Sequence, residues 1–405
     1  MVQTVIMRHI FNNYLTYNKN NGIIVEVLPQ YTYEESATMI NTFERLTEVF
    51  GLGDAVKSYE VISNGNINST YDVTVRSGGE DKRYVFQRIN VFVFKNPEKI
   101  MVNIDAITTH IAEKLNAAGE SRDRVMHFAH TKDGKSYFYY GDEFWRVSEF
   151  VPNSVTFNTC DDLDILRSAG RAFGEFQTML SDFNAATLNE TIPNFHNTRS
   201  RIETFMKHVE EDPCGRVAEV TDEIERIKRF TPMAVRLNEL LDSGELPLRV
   251  THNDTKINNV LFDRTTKEAK TVIDLDTVMP GLVAHDFGDA IRFAANRSAE
   301  DEPDLSLVGL DISRFRAFSE GFIPEVANSL TPTEIKTLSL GAFTMTAELV
   351  VRFLDDYISG DKYFKTLYDK HNLVRARCQL CLAEDILAHL DEMNAIVSKV
   401  SGIKF

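Results

Sequence analysis

Between residues 250 and 275 the chain concentrates side chains that can carry out a group transfer. The apolar Val250-Thr251 strand delivers His252-Asn253-Asp254-Thr255-Lys256, and Asn259 follows five residues after Asp254. A second apolar run, Thr271-Val272-Ile273, delivers Asp274 twenty residues after Asp254. These types meet the needs of phosphoryl transfer, in which little covalent help is required but the nucleophile must be aligned and the triphosphate's charge neutralised. Asp254 is expected to orient the attacking hydroxyl and to receive its proton. Asn259, Asp274 and Asp276 offer the hard oxygen ligands that Mg²⁺ prefers. Lys256, two residues after the base, is within reach of the transferring group as its charge shifts. His252 reads as a hydrogen-bonding support beneath the loop. The plain alternative is an Asp-rich turn between hairpin strands, and three polar types at matching offsets argue against it.

The same chemistry needs a cover for the phosphates, expected in the turn Ser63-Asn64-Gly65-Asn66-Ile67-Asn68-Ser69-Thr70-Tyr71. Gly65 permits close backbone approach, with Asn66, Asn68 and Thr70 beside it, although a single Gly falls short of G-x-G-x-x-G. The lysine expected on the third strand is missing: Tyr84-Val85-Phe86 leads to Gln87 and Arg88, so Gln87 takes its place and Arg88 or Lys256 is the nearest cation. Glu149 and Val151, where the last strand of this region ends, complete the expected nucleotide contacts. Asp286-Phe287-Gly288 spells a protein-kinase magnesium motif, but it lies 32 residues after Asp254 and heads a predicted helix over 287–296. Asp274 is the better ligand, and Asp286 is expected to support the loop or cap that helix.

Elements that would hold these residues are legible in the pattern. Thr32 and Glu35 form a capping box before a helix running to Phe50, after residues 1–31, which show no clear period. From Val56 to Ile89, β-rich pieces separated by Asn64-Gly65-Asn66 and Ser77-Gly78-Gly79 read as an antiparallel meander. A helix over 97–117 and strands near 136–140 and 144–150 complete a small lobe. Beyond Pro152 the pattern is helical: 161–180, 200–208, 217–241, a start at Thr331-Pro332, and two long helices to about Ser398. The expectation is an α+β, bilobal, protein-kinase-like fold with a five-stranded antiparallel sheet in the small lobe and a larger, mainly helical lobe. Its divisions are 1–50, an N-terminal extension and helix; 51–152, the nucleotide-binding lobe; and 153–405, the catalytic and substrate-binding lobe.

Composition sets limits on the partners. The 405 residues are 43% hydrophobic and 26% charged, an ordinary globular balance, with a net charge of −16 that repels phosphate backbones and anionic membranes. No nucleic acid and no membrane are therefore expected. Cys378 and Cys381 have no second pair at zinc-ligand spacing and read as reduced helix residues. The opening MVQTVIMRHIFNNYLTYNKN has no uninterrupted apolar core, and the longest apolar run, Leu338–Ala347, stops at Glu348, so the cytoplasm is the expected compartment.

The HxDxxxxN loop with its later Asp matches the kinase superfamily, and the Val272-Ile273-Asp274 pattern resembles the aminoglycoside phosphotransferase and choline kinase group. Within it the chain is most similar to the N-acetylhexosamine 1-kinases, from about Tyr59 to Ser398. The resemblance is carried by Gly65-Asn66-Ile67-Asn68-Ser69-Thr70-Tyr71, Phe195-His196-Asn197-Thr198, Leu248 through Lys256, Ile273 through Gly281, Asp286-Phe287-Gly288-Asp289 and His371-Asn372-Leu373-Val374-Arg375. It implies ATP, Mg²⁺ and transfer of the γ-phosphoryl group to the anomeric hydroxyl of N-acetylglucosamine or N-acetylgalactosamine. It also implies a sugar pocket drawing on the residues matching Asn66, Phe293 and Arg352. Asn66 stands where the family is expected to have His, which bears on sugar preference. The strand lysine is missing in this subfamily too. Read without the resemblance, Arg352 is either a buried ion-pair member, for instance with Asp355, or a ligand for sugar hydroxyls. Phe293 is either core or a platform, and Tyr363, Arg375 and Arg377 are further candidates. The rival readings are a kinase for another acceptor (an aminoglycoside, choline or homoserine) and a nucleotide-binding pseudokinase scaffold. Intact Asp254, Asn259 and Asp274 speak against the scaffold.

Overall fold

A computed structural model of the chain describes residues 38–62 and 67–405 throughout, together with the backbone of 7–8, 14–18, 23–27 and 33–37. Two compact units result, one from residues 1–109 with 125–152 and the other from 110–124 with 153–405.

In the first unit, β1 (Met7–Arg8), β2 (Tyr14–Asn18) and β3 (Ile23–Val27) form a small antiparallel sheet. There follow α1 (Tyr33–Phe50), β4 (Ala55–Ile62), β5 (Ser69–Ser77), β6 (Glu80–Ile89), α2 (Pro97–Ala118, of which residues 110–118 belong to the second unit), β7 (Tyr137–Tyr140) and β8 (Glu143–Glu149). Strands β4 to β8 make the expected five-stranded antiparallel sheet, in the order β4-β5-β6-β8-β7. The β5–β6 hairpin closes through Gly78 and Gly79, both at positive φ (59° and 91°), as a tight two-residue turn requires. Alternation along β4 and β5 turns Val56, Tyr59, Tyr71, Val73 and Val75 to one face, and α1 covers it with Ile40, Phe43, Leu46 and Phe50. Phe43 sits at the centre, its ring edge-on to Tyr59, Tyr71, Phe86 and Trp145.

The second unit contains β9 (Ser154–Val155), α3 (Leu163–Met179), α4 (Thr198–Glu211), α5 (Thr221–Ala234), α6 (Arg236–Asp242), β10 (Arg249–Thr251), β11 (Val260–Asp263), β12 (Ala269–Val272) and β13 (Met279–Gly281). It continues through α7 (Val283–Ala294), α8 (Ile312–Val326), α9 (Pro332–Lys336), α10 (Leu338–Ile358), α11 (His371–Ala388) and α12 (Leu390–Ser401). The helix expected over 217–241 is two helices, interrupted at Val235, three residues after Pro232, whose ring and missing N–H weaken the last turn of α5. Thr331 and Glu334 form the capping box that starts α9, with Pro332 at the first position. The apolar run ending at Ala347 does not end its helix: α10 continues through a fully buried Glu348. Helices α7 and α10 cross closely at Gly288 and Gly341, where a Cβ on Gly341 would stand 1.9 Å from the Ala284 carbonyl oxygen. This crossing fixes two helices that carry site residues. All four cysteines are free thiols. Among the described residues no helix is long and apolar enough to cross a membrane.

Candidate active site

Two short antiparallel pairs present the polar loops. β10 pairs with β13 (Thr251 opposite Met279) and β11 with β12 (Val260 opposite Val272), so the loops 252–259 and 273–278 leave adjoining strand ends. Gly281 permits the first pairing to close, since a Cβ there would lie 2.2 Å from Thr251 Oγ1. The Ile273 N–H donates to the Asn259 carbonyl at 2.9 Å, which sets Asp274 beside Asn259.

The loop around Asp254 is held at nearly every backbone group. Asp286, in the first turn of α7, accepts from the His252 N–H (2.8 Å), the Asn253 N–H (2.7 Å) and Gln177 Nε2 (2.7 Å). Asp289, one turn on, accepts from the Thr255 N–H at 3.1 Å. Thr277 Oγ1 donates to the His252 carbonyl at 2.6 Å. His252 is fully buried; its Nε2 meets the Ile273 carbonyl at 2.9 Å, and its Nδ1 accepts from the Asp254 N–H at 3.3 Å. It is thus the expected support, and Asp286 holds the loop from inside its helix.

The side chains above this frame converge. Asn259 Nδ2 donates to the Asp254 carbonyl (2.8 Å) and to its carboxylate (3.1 Å), while Lys256 Nζ lies 2.9 Å from the other carboxylate oxygen. Asp254 raises the Lys256 pKa against the opposing effect of burial, so the ammonium stays charged. Burial works against ionisation of Asp289, yet Arg292 and Lys256 hold its carboxyl below the usual range. Asp274 is exposed and adopts a left-handed φ of 59°, whereas Asp276, two residues on, is buried. Among the described residues no three His, Cys, Asp or Glu side chains gather as a metal cluster. The oxygen pair at hand is Asn259 and Asp274. The Asn259 NH₂ is engaged by Asp254, which leaves its carbonyl oxygen as the ligating atom, and the hard, all-oxygen pair fits Mg²⁺.

A cavity of about 300 Å³ opens in the same unit, lined by Arg201, Thr204, His208, Arg352, Asp355, Asp356, Tyr363 and Phe364 among others. Arg352 lies over the rings of Phe195, Tyr363 and Phe364 at 5.5–6.0 Å. Its nearest carboxylate is Glu348 at 4.0 Å, not the expected Asp355, which instead accepts from His208 Nδ1 at 2.6 Å. Among the described residues Arg201 reaches only the Phe195 carbonyl, at 3.3 Å, and its Nε is buried without a partner. Desolvation first, and then the Arg352 charge, lower the Arg201 pKa. Asp356 is filled: it accepts from the N–H groups of Lys362, Tyr363 and Phe364 and from Asn372 Nδ2. Phe293, on α7, is half-buried. Arg377 pairs with Glu223, and Arg375 bonds the Lys365 carbonyl.

In the first unit, Gly65 and Asn66 lie outside the described residues. Asn68 Oδ1 accepts from the Asn90 N–H (3.0 Å) and Gln87 Nε2 donates to Thr70 Oγ1 (3.2 Å). Arg88 pairs with Glu143. Glu149 ends β8 opposite Tyr84, and Val151 follows it half-buried. The cation beside Gln87 is one that sequence reasoning missed: Arg146, directly opposite on β8 and 2% exposed, donates from Nε to Gln87 Oε1 at 3.0 Å. Only the sheet register exposes that pair. His196, Arg201, Asp289 and Glu348 were missed as well. For Glu348 a signal existed, since one acid inside a long apolar run marks a buried charge.

The sequence profile of the phosphotransferase enzyme family (APH) matches residues 58–309, more than half of the chain. The chain belongs to this phosphotransferase family. Its fold is similar to that of a microcompartment-associated aminopropanol kinase (16% identity, TM-score 0.56, covering 86% of this chain and 98% of that one). It is also similar to an aminoglycoside phosphotransferase from Alicyclobacillus acidocaldarius (14%, 0.54, 87% and 96%) and a choline/ethanolamine kinase family protein from Mesorhizobium loti (12%, 0.51, 90% and 99%). At these identities the likeness is one of fold, and it agrees with the α+β kinase-like architecture described above.

Proposed function

We propose that this phosphotransferase is an ATP- and Mg²⁺-dependent kinase that phosphorylates the anomeric hydroxyl of an N-acetylhexosamine. The observation that carries the reaction is the convergence of Asp254, Lys256 and Asn259 on one pinned loop with Asp274 beside it. In this reading Asp254 accepts the proton of the acceptor hydroxyl as its oxygen bonds to the γ-phosphorus and ADP leaves. Asn259 fixes the Asp254 carboxylate through Nδ2 and keeps it from turning toward Lys256 alone. Lys256 holds a positive charge next to the base, where charge on the transferring group develops. Asn259, through Oδ1, and Asp274 would hold Mg²⁺, which when bound neutralises the nucleotide's phosphates.

The acceptor class rests on the hydrogen-bond inventory of the cavity. Of its carboxylates, Asp356 is filled by four N–H donors and Asp355 accepts from His208 through one oxygen, while the Arg201 and Arg352 guanidiniums retain unfilled donors. Such a pocket suits a ligand rich in oxygen acceptors, and the acetamido carbonyl and hydroxyls of an N-acetylhexosamine fit it. The amino alcohols and aminoglycosides named for the structural relatives carry cations and call for carboxylates that are open. Aromatic faces on Tyr363 and Phe364 suit the apolar face of a sugar ring.

The test is an ATP-consumption assay with Mg²⁺ across N-acetylglucosamine, N-acetylgalactosamine, glucose, galactose, choline, homoserine and kanamycin, with phosphorus NMR of the product. An anomeric phosphate on an N-acetylhexosamine is expected. Turnover on a cationic alcohol instead would retain the roles of Asp254 and Asn259 and overturn the assignment of the cavity.

A further inference from the structure

His196 precedes α4 and belongs to none of the groups assigned above, yet its side chain, 8% exposed, packs against the loop that carries the base. Its Nε2 lies 3.2 Å from the Asn253 carbonyl oxygen and its Nδ1 3.1 Å from Glu348 Oε1. A peptide carbonyl can only accept, and so can an ionised carboxylate, so a ring that bonds both must donate from both nitrogens. We infer that His196 is a positioning residue: an imidazolium that clamps the peptide carbonyl just before Asp254 to Glu348, and through Glu348 to the Arg352 side of the cavity. The inference rests on the kinase reading of the Asp254 loop.

The surroundings favour that charge state. On α10, Glu348 is fully buried; its second oxygen accepts from Thr198 Oγ1 at 2.9 Å, and Arg352 stands at 4.0 Å. On α7, His285 has its ring 5.4 Å from that of His196, and Asp286 and Asp289 lie one turn apart. Burial opposes the His196 charge, but Glu348, Asp289 and the Asn253 carbonyl outweigh it and raise the pKa. Burial likewise opposes the Glu348 carboxylate, which His196 and Arg352 nonetheless hold down at about 2. His285 is the neutral neighbour, pushed down to about 3 by burial and by the His196 charge.

The clamp matters because of where it acts. Asn253 has a φ of 64°, a sparsely populated conformation that needs outside support in a non-glycine residue. The Asp254 N–H donates to His252 Nδ1 at 3.3 Å and the Asn253 carbonyl is held by His196, so the peptide plane leading into Asp254 is pinned on both edges. Without the second hold that plane can rotate, and the Asp254 carboxylate shifts with it. Misplacement of a catalytic group by about 1 Å can cost on the order of 100-fold in rate.

The deciding measurement is ¹⁵N NMR of histidine-labelled full-length protein at pH 8, with the His196 ring identified by comparison with the His196→Gln and Glu348→Gln variants. Both His196 nitrogens are expected to give protonated signals in the wild-type protein, and the ring is expected to become neutral in Glu348→Gln. A neutral ring in the wild-type protein would overturn the clamp. In His196→Gln, kcat is expected to fall about 10- to 100-fold with the KM for ATP changed less than about twofold; wild-type kcat in that variant would overturn the positioning role. The NMR readout requires no acceptor, so it decides the clamp whether or not the proposed sugar is correct, and either variant alone identifies the His196 ring if the other does not fold.

Discussion

Asp254 has two neighbours with different duties, and substitution separates them. Asn259 constrains one carboxylate oxygen and Lys256 faces the other, so Asp254→Asn preserves the volume and the contact to Asn259 while removing the proton acceptor. Its kcat is expected to fall about 100- to 10,000-fold, with ATP binding, measured by calorimetry, nearly unchanged. A variant that retains full turnover would remove Asp254 from the base role. Arg352 poses a different question, because its half-buried guanidinium lies among three aromatic rings with one carboxylate at 4.0 Å. If it holds the acceptor, Arg352→Ala raises the acceptor's KM about tenfold, roughly 1.4 kcal/mol, and leaves the KM for ATP alone. Equal rises in both, with a lowered melting temperature, would reduce Arg352 to a packing role.

The packed helices create a pH dependence that neither α7 nor α10 would show alone. His285 on α7 is buried and stays neutral until about pH 3, whereas an unfolded chain protonates it near 6.5. Between those values the unfolded state binds the extra proton, so stability falls as pH falls. Glu348 contributes nothing to this slope above pH 5, because its stabilisation is complete above the unfolded value of 4.5 and is lost only toward 2. The raised pKa of His196 acts on the other side: its contribution is complete below 6.5 and is lost as pH rises through its folded value. His285→Gln is therefore expected to flatten the loss of unfolding free energy from pH 7 to pH 5 by about 2 kcal/mol, read from urea titrations at both values. An unchanged slope would mean that His285 titrates normally. The sequence displayed the HxDxxxxN loop, Asp274, the five strands and most of the helices, because those are local patterns of spacing, turn residue and period. It did not display the His196–Glu348 or Gln87–Arg146 pairs. The first joins positions 152 residues apart, and the second depends on strand register. It offered Asp355 as an example of an Arg352 partner, beside the reading of Arg352 as a sugar ligand, because three- and four-residue helical offsets share a face, and the position of His208 is what draws Asp355 away.

At the scale of the whole molecule, a net charge of −16 sets up a field that repels one substrate and ignores the other. The nucleotide is an anion under all assay conditions, and the proposed acceptor is neutral. Raising ionic strength from about 0.01 to 0.15 M shortens the screening length from roughly 30 to 8 Å, which mutes distant surface carboxylates and spares the Asp254–Lys256 pair at 2.9 Å. The kcat/KM for ATP is then expected to rise by about two- to tenfold, while kcat/KM for an N-acetylhexosamine stays level. A fall for ATP over the same range would mean that a local basic funnel overrides the global charge. A fall for the acceptor alone would mark it as a cation drawn in by the acidic surface, and so would count against the neutral sugar independently of any product analysis.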